Sequence, residues 1–131
     1  MSILLIEDDD GVGPSIAHLL RDEGYEVEVA TNGRIALDRL ARDPLPSLIL
    51  LDLMMPGMDG VEFRVRQLAS ARLADIPVIL LSARPDVAVR AKQLLVADFL
   101  PKPMNFEELL HVVQNRAVTV VTAVPAAVSG R

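Results

Sequence analysis

Leu48-Ile49-Leu50-Leu51-Asp52, followed at once by Leu53-Met54-Met55-Pro56-Gly57-Met58-Asp59-Gly60, is an unbroken apolar run that stops at an acid and opens into a turn rich in proline and glycine. A run this short, with no polar alternation, reads as a strand covered on both faces, as in a parallel sheet. Three more runs share its form: Ile3–Ile6 before Glu7 and Asp8, Pro77–Leu81 before Ser82, and Asp98–Pro101 before Lys102. Parallel sheets bind ligands outside the carboxyl ends of their strands, so Glu7, Asp8, Asp52, Ser82 and Lys102 are expected on one rim. Three carboxylates, a hydroxyl and an ammonium gathered there suit a divalent cation and a phosphoryl group.

Between the apolar runs lie segments with helical spacing. This strand-then-helix repetition implies right-handed crossovers and helices on both sheet faces. Val12, Ile16, Leu19 and Leu20 form the stripe of a first helix, which Gly24 stops. Tyr25–Ala30 alternates as a strand, and Ile35, Leu37 and Leu40 carry a second helix that ends before Pro44 and Pro46. A third helix follows Gly60, a fourth begins after Pro85, and a fifth starts at Asn105, which with Glu108 has capping-box spacing. The stripe of this last helix is Phe106, Leu109, Leu110 and Val113. The count is five strands and five helices, a doubly wound α/β domain. From Ala117 to Arg131, Val118, Val120, Val121 and Val124 mix with threonine, alanine and Pro125. That β-branched content argues against a long continuation of the fifth helix. Residues 1–116 are therefore expected to form the domain, and 117–131 a frayed tail or linker stump.

With 131 residues the chain is one domain's worth. It has no cysteine, so a disulfide framework and a thiolate metal site are both excluded, and a reducing cytosol is the natural compartment. The net charge of −5 argues against direct nucleic-acid or acidic-membrane binding, which need basic patches. Output through protein partners is expected instead. No basic N-terminal region precedes an apolar stretch, and no run approaches the roughly 20 apolar residues that span a bilayer. The expectation is a cytoplasmic protein.

An acid after a strand can simply cap the next helix. Asp52 carries more than that because neighbouring parallel strands would bring Glu7 and Asp8 within a few ångströms of it. Carboxylates so close repel unless a cation joins them, and Mg²⁺ suits few carboxylates, a carbonyl, waters and a phosphate oxygen. Gly11-Val12-Gly13-Pro14-Ser15-Ile16 mimics most of a dinucleotide fingerprint. Ile16 replaces the third glycine, and the acids before it would repel a pyrophosphate, so this is read as a loose first turn.

Taken together, ILLIEDD (Ile3 to Asp9), LILLDLMMPGMDG (Leu48 to Gly60), LLSA (Leu80 to Ala83) and DFLPKP (Asp98 to Pro103) resemble the receiver domain of two-component response regulators, over about residues 2 to 116. The resemblance implies a flavodoxin-like five-stranded parallel sheet in order 2-1-3-4-5 with five helices. It makes Asp52 the phosphoryl acceptor, Asp8 a direct Mg²⁺ ligand, Glu7 a ligand through water, and the Met54 main-chain carbonyl a further ligand. Ser82 would bond the phosphoryl group through its hydroxyl, with Lys102 as the cationic partner and a cis bond between Lys102 and Pro103. Phe99 takes the place of the aromatic switch residue. Met54 and Arg84 occupy positions that tune water access, as a pair that suggests a long-lived phosphoryl group. The implied partners are a sensor histidine kinase or histidine phosphotransfer protein and a downstream protein target, with room for a phosphorylation-dependent homodimer.

Two departures stand out. The segment from Ser82 to Lys102 is a little short for the family, and Leu95 stands where a glycine generally precedes the last strand, so a shortened or shifted fourth helix is expected. Three other readings compete. An aspartyl-nucleophile phosphatase would want a second acid where Met54 stands. A pseudo-receiver scaffold sits poorly with the complete set of site residues. A receiver cut from a larger regulator or hybrid kinase is kept open by the unusual tail.

Overall fold

The computed structural model describes residues 1–53, 55, 58–102 and 105–126, with side chains as far as 116. The strands β1 (Ser2–Ile6), β2 (Glu26–Ala30), β3 (Leu48–Asp52), β4 (Val78–Ser82) and β5 (Asp98–Pro101) pair in parallel, in the order β2-β1-β3-β4-β5. The helices α1 (Val12–Asp22), α2 (Gly33–Leu40), α3 (Gly60–Leu68), α4 (Val87–Gln93) and α5 (Phe106–Ala126) follow the strands in turn. Fold class and strand order are those the resemblance implies.

Side chains alternate across a strand, and here both faces are covered. Ile3, Leu5, Leu48, Leu50, Ile79, Leu81 and Leu100 pack with Ile16 and Leu20 of α1 and with Leu109 and Val113 of α5. Leu4, Ile6, Ile49, Leu51, Val78 and Leu80 face the other layer, against Leu40 of α2, Phe63 of α3 and Ala91 of α4. Pro101, which has no N–H to give, lies on the edge strand β5, where a missing donor costs least.

The helix ends use the chemistry of their sequence. The side chains of Asn32 and Asp59 accept the amides of Ile35 at 2.8 Å and Glu62 at 2.9 Å. Asn105 and Glu108 form the expected capping box, Oδ1 accepting the Glu108 amide at 2.7 Å and Glu108 Oε1 accepting the Asn105 amide at 3.4 Å. Chain reversal after α1 uses Gly24 at φ +98°, and after the seven-residue α4 it uses Leu95 at φ +57°.

Three expectations are corrected. In α1 the buried positions are Gly13, Ile16, Ala17 and Leu20, while Val12 and Leu19 are exposed. In α2 they are Gly33, Ala36 and Leu40, and Ile35 is 45% exposed. Small residues let a helix axis approach the sheet closely, and this turns the buried stripe toward glycine and alanine. Finally, α5 runs past residue 116 to Ala126. β-branched residues cost only a few tenths of a kcal/mol each in a helix, and a helix already nucleated gains one hydrogen bond for each residue added. Among the described residues no helix is long and apolar enough to cross a membrane.

Candidate functional site

The alternation that buries Leu5, Leu50 and Leu100 carries Glu7, Asp52 and Lys102 to the same layer at the carboxyl ends of β1, β3 and β5. There the Lys102 Nζ lies 2.7 Å from Glu7 Oε1 and 3.7 Å from Asp52 Oδ2. Glu7 is only 1% exposed and Asp52 only 4%, so each carboxylate depends on partners inside the protein. Oxygens of Glu7, Asp8 and Asp52 all lie within 4.8 Å of one another. They open on a cleft of about 270 Å³ walled also by Asp9, Val12, Ala83 and Lys102.

Backbone pairing beyond the regular strands fixes these positions. The amides of Glu7, Leu53 and Lys102 donate to the carbonyls of Ala30 (3.0 Å), Leu81 (3.2 Å) and Ser82 (2.7 Å). The Gly60 amide returns to the Leu53 carbonyl at 3.0 Å. A Cβ on Gly60 would stand 2.6 Å from the Asp52 carbonyl oxygen and 2.7 Å from Leu53 Cα, so the close approach of α3 to the end of β3 admits glycine alone.

Burial alone would pull the Lys102 ammonium down, but the Glu7 hydrogen bond and the charges of Asp52 and Glu7 outweigh it and hold the pKa above that of an ordinary lysine. Glu7 is further engaged at Oε2 by the Asp9 amide at 3.4 Å. A carboxylate so occupied suits contact with an ion through water. The convergent donors are all oxygens, which fits a hard cation such as Mg²⁺ better than a softer metal.

Asp9 plays a different part. Its Oδ1 accepts the amides of Val12 at 2.9 Å and Gly11 at 2.8 Å, which hold its carboxyl below the usual carboxylate range. It closes the turn into α1, a role sequence reasoning missed although an aspartate two residues before a glycine is a common turn signal.

Ser82, fully buried at the end of β4, falls by the same alternation on the layer of Leu80, and its Oγ accepts the Arg84 amide at 3.0 Å. Phe99 pairs in register with Leu80 and packs half-buried against that layer. Ser82 and Phe99 therefore share one side of the sheet, and Glu7, Asp52 and Lys102 share the other. Arg84 forks onto Asp86, with Nε 2.9 Å from Oδ1 and Nη2 3.1 Å from Oδ2, a pairing not anticipated from sequence. The Met54 carbonyl and the Lys102–Pro103 bond lie outside the described residues.

A family model for the response regulator receiver domain matches residues 3–114. The response regulator MprA of Mycolicibacterium vanbaalenii is 44% identical over 110 residues, which are 82% of this chain and 46% of that protein. The chain thus spans about half the length of the curated relatives it matches. Among solved structures, the signal receiver domain of a signal transduction histidine kinase from Syntrophus aciditrophicus is similar with a TM-score of 0.82 and 33% identity, covering 91% of each chain. The response regulator TrrA of Thermotoga maritima, in complex with Mg²⁺ and BeF, is similar with a TM-score of 0.77 and 28% identity, over 88% of this chain and 97% of that one.

Proposed function

The chain belongs to the response regulator receiver family, and from that premise we propose that it takes a phosphoryl group from phosphohistidine onto Asp52 and signals through protein contacts. The observation that carries this is the meeting of Glu7, Asp8 and Asp52 oxygens within 4.8 Å, with Lys102 bonded into the same cluster. Asp8, Asp52 and the Met54 carbonyl would hold Mg²⁺ directly, and Glu7 through water. The bound ion would neutralise charge on the phosphoryl oxygens. That the similar TrrA structure contains Mg²⁺ and BeF supports both the ion and the phosphoryl group in this reading.

An Asp52 oxygen attacks phosphorus in line with the donor nitrogen. The P–N bond breaks and its electron pair returns to the imidazole, which leaves as the dephosphorylated histidine. The transition state is loose and its charge sits on the equatorial oxygens, so positioning and electrostatics do most of the work. Lys102, 3.7 Å from Asp52 Oδ2, has a short swing to a phosphoryl oxygen. Ser82 Oγ accepts one bond from Arg84 and retains its own proton to donate. Movement of Ser82 toward the phosphoryl group would open space on the layer it shares with Phe99, biasing two existing arrangements of that ring. Met54 and Arg84 would hinder water and lengthen the life of the acyl phosphate.

The proposed partners are a sensor histidine kinase or histidine phosphotransfer protein and a downstream protein target, in a cytoplasmic setting, with a phosphorylation-dependent homodimer as one mode of output. Because the relatives are about twice as long, a receiver acting as part of a larger regulator is the second reading; there residues 117–131 would be a linker, helical as far as Ala126. Incubation with Mg²⁺ and phosphoramidate should add one phosphate that hydroxylamine removes and that Asp52→Asn does not acquire. A wild type that stays unlabelled, or a variant that labels equally, refutes the acceptor role. A half-life of only seconds at neutral pH refutes the slow hydrolysis.

A further inference from the structure

Resting on the acceptor role proposed for Asp52, we infer that Asp86 is a positioning residue for the same chemistry: it ties Arg84 down beside α4 and so limits how readily that arginine covers a phosphoryl group on Asp52. The residues that precede α2, α3 and α5 are Asn32, Asp59 and Asn105, and each spends its side chain on an amide of its helix. Asp86 precedes α4 and makes no such bond. Its carboxylate takes the Arg84 fork on both oxygens and lies 3.4 Å from Arg90 Nε.

Arg84 is joined to the site through its own backbone. Its amide donates to Ser82 Oγ at 3.0 Å, and its carbonyl accepts the Val87 amide at 3.2 Å. Arg84 lines a cleft of about 210 Å³ with Leu53, Met55, Asp59, Val61 and Arg90, whereas Ala83 is the residue of this turn that lines the acidic cleft. Leu53 follows Asp52 directly in the chain, so the cleft that Arg84 lines borders the residue next to the acceptor. A phosphoryl group brings more negative charge than Asp86 does and competes for the fork. The Arg84 bond holds the Asp86 carboxyl down to about 2, so the tie is intact at neutral pH.

The test compares wild type, Asp86→Asn, Asp86→Glu, Arg84→Ala and the double variant Asp86→Asn/Arg84→Ala, each with Mg²⁺. Acyl-phosphate half-life after labelling and half-saturation by beryllium fluoride are measured alongside melting temperature. Because the pair is partly exposed, Asp86→Asn should lengthen the half-life and tighten beryllium fluoride by about two- to five-fold. Asp86→Glu should restore wild-type values, and in the Arg84→Ala background Asp86→Asn should change neither. An unchanged or shortened half-life in Asp86→Asn overturns the inference, as does an effect that persists without Arg84. A purely structural role would move the melting temperature alone. A wild type that neither labels nor binds beryllium fluoride refutes the acceptor role itself, and this inference with it.

Discussion

The two rims of the sheet solve opposite problems with the same kind of material. At the carboxyl ends of the strands, the side chains of Glu7, Asp8, Asp52 and Lys102 converge around a cleft. At the amino ends, arginines bind carbonyls and tie down the returning turns, with Arg39 and Arg72 also paired to Glu28 and Asp43 at the surface. Arg21 reaches the Val27 carbonyl at 2.6 Å, Arg39 those of Arg42 and Pro44, and Arg72 that of Leu40. Arg64, only 5% exposed, bonds the carbonyls of Leu94 at 2.9 Å and Leu95 at 2.8 Å and, at 2.7 Å, the side chain of Gln67, which in turn holds Leu73 and Ile76 at 3.0 Å each. The five-donor fork of arginine suits this work because one planar group satisfies several carbonyls at helix ends that have run out of amides. On the proposed function, charges gathered on one rim trade stability for chemistry; charges spread along the other are absorbed into hydrogen bonds and supply stability.

The sharpest way to break this contrast is Arg64→Met. It strips donors from the buried Leu94 carbonyl, the part-buried Leu95 carbonyl and Gln67, and should cost about 2–3 kcal/mol in urea unfolding while Asp52 still labels under native conditions. A loss of under about 1 kcal/mol would mean the amino-end rim is not where the stability lies. Lys102→Met tests the opposite rim. It leaves Glu7 buried without its ammonium, and allowing for the partial exposure of the lysine should cost about 2 kcal/mol without metal, with Mg²⁺ recovering much of the melting temperature. No response to Mg²⁺ would separate the lysine from the ion site.

Leu95→Gly relieves a left-handed backbone at a side chain that is 72% exposed and packs against little. It should stabilise by about 0.5–1 kcal/mol, read as a shift in the urea midpoint. The smallest effect concerns acid. The folded-state pKa of Asp86, about 2, lies below its ordinary 3.8, so its contribution is present above the higher value and fades as pH falls through the lower one. Melting temperatures of wild type and Asp86→Asn should differ slightly at neutral pH and converge near the bottom of that window.

The reactive rim was legible because each of its groups ends an apolar run, and counting back by twos along each run places Glu7, Asp52 and Lys102 on one layer. The arginine rim was not. Arg64 sits between Glu62 and Arg66 in α3 and reads as one more surface charge; the carbonyls it meets belong to a turn 30 residues on, whose path no local pattern announces. Asp86 stands where an aspartate would ordinarily cap the start of α4, and the nearness of two arginines diverts it. The stripes of α1 and α2 were misjudged because glycine and alanine score low as apolar residues, although their small size is what lets a helix sit close. The length of α5 is not legible in residue propensity, which leaves out the advantage of extending a helix already begun.

One feature of the sheet governs how such a molecule can vary. Glu7, Asp52 and Lys102 emerge from one side of their strands and Ser82 from the other, so insertion of a single residue inside β4 or β5 would exchange the sides and present an aliphatic side chain where a polar one is required. Loops can change by any number, but strands only in even steps. The chemistry is in this sense written in parity, and a relative with an odd-length change in one of these strands would need a second, compensating slip before its rim could close again.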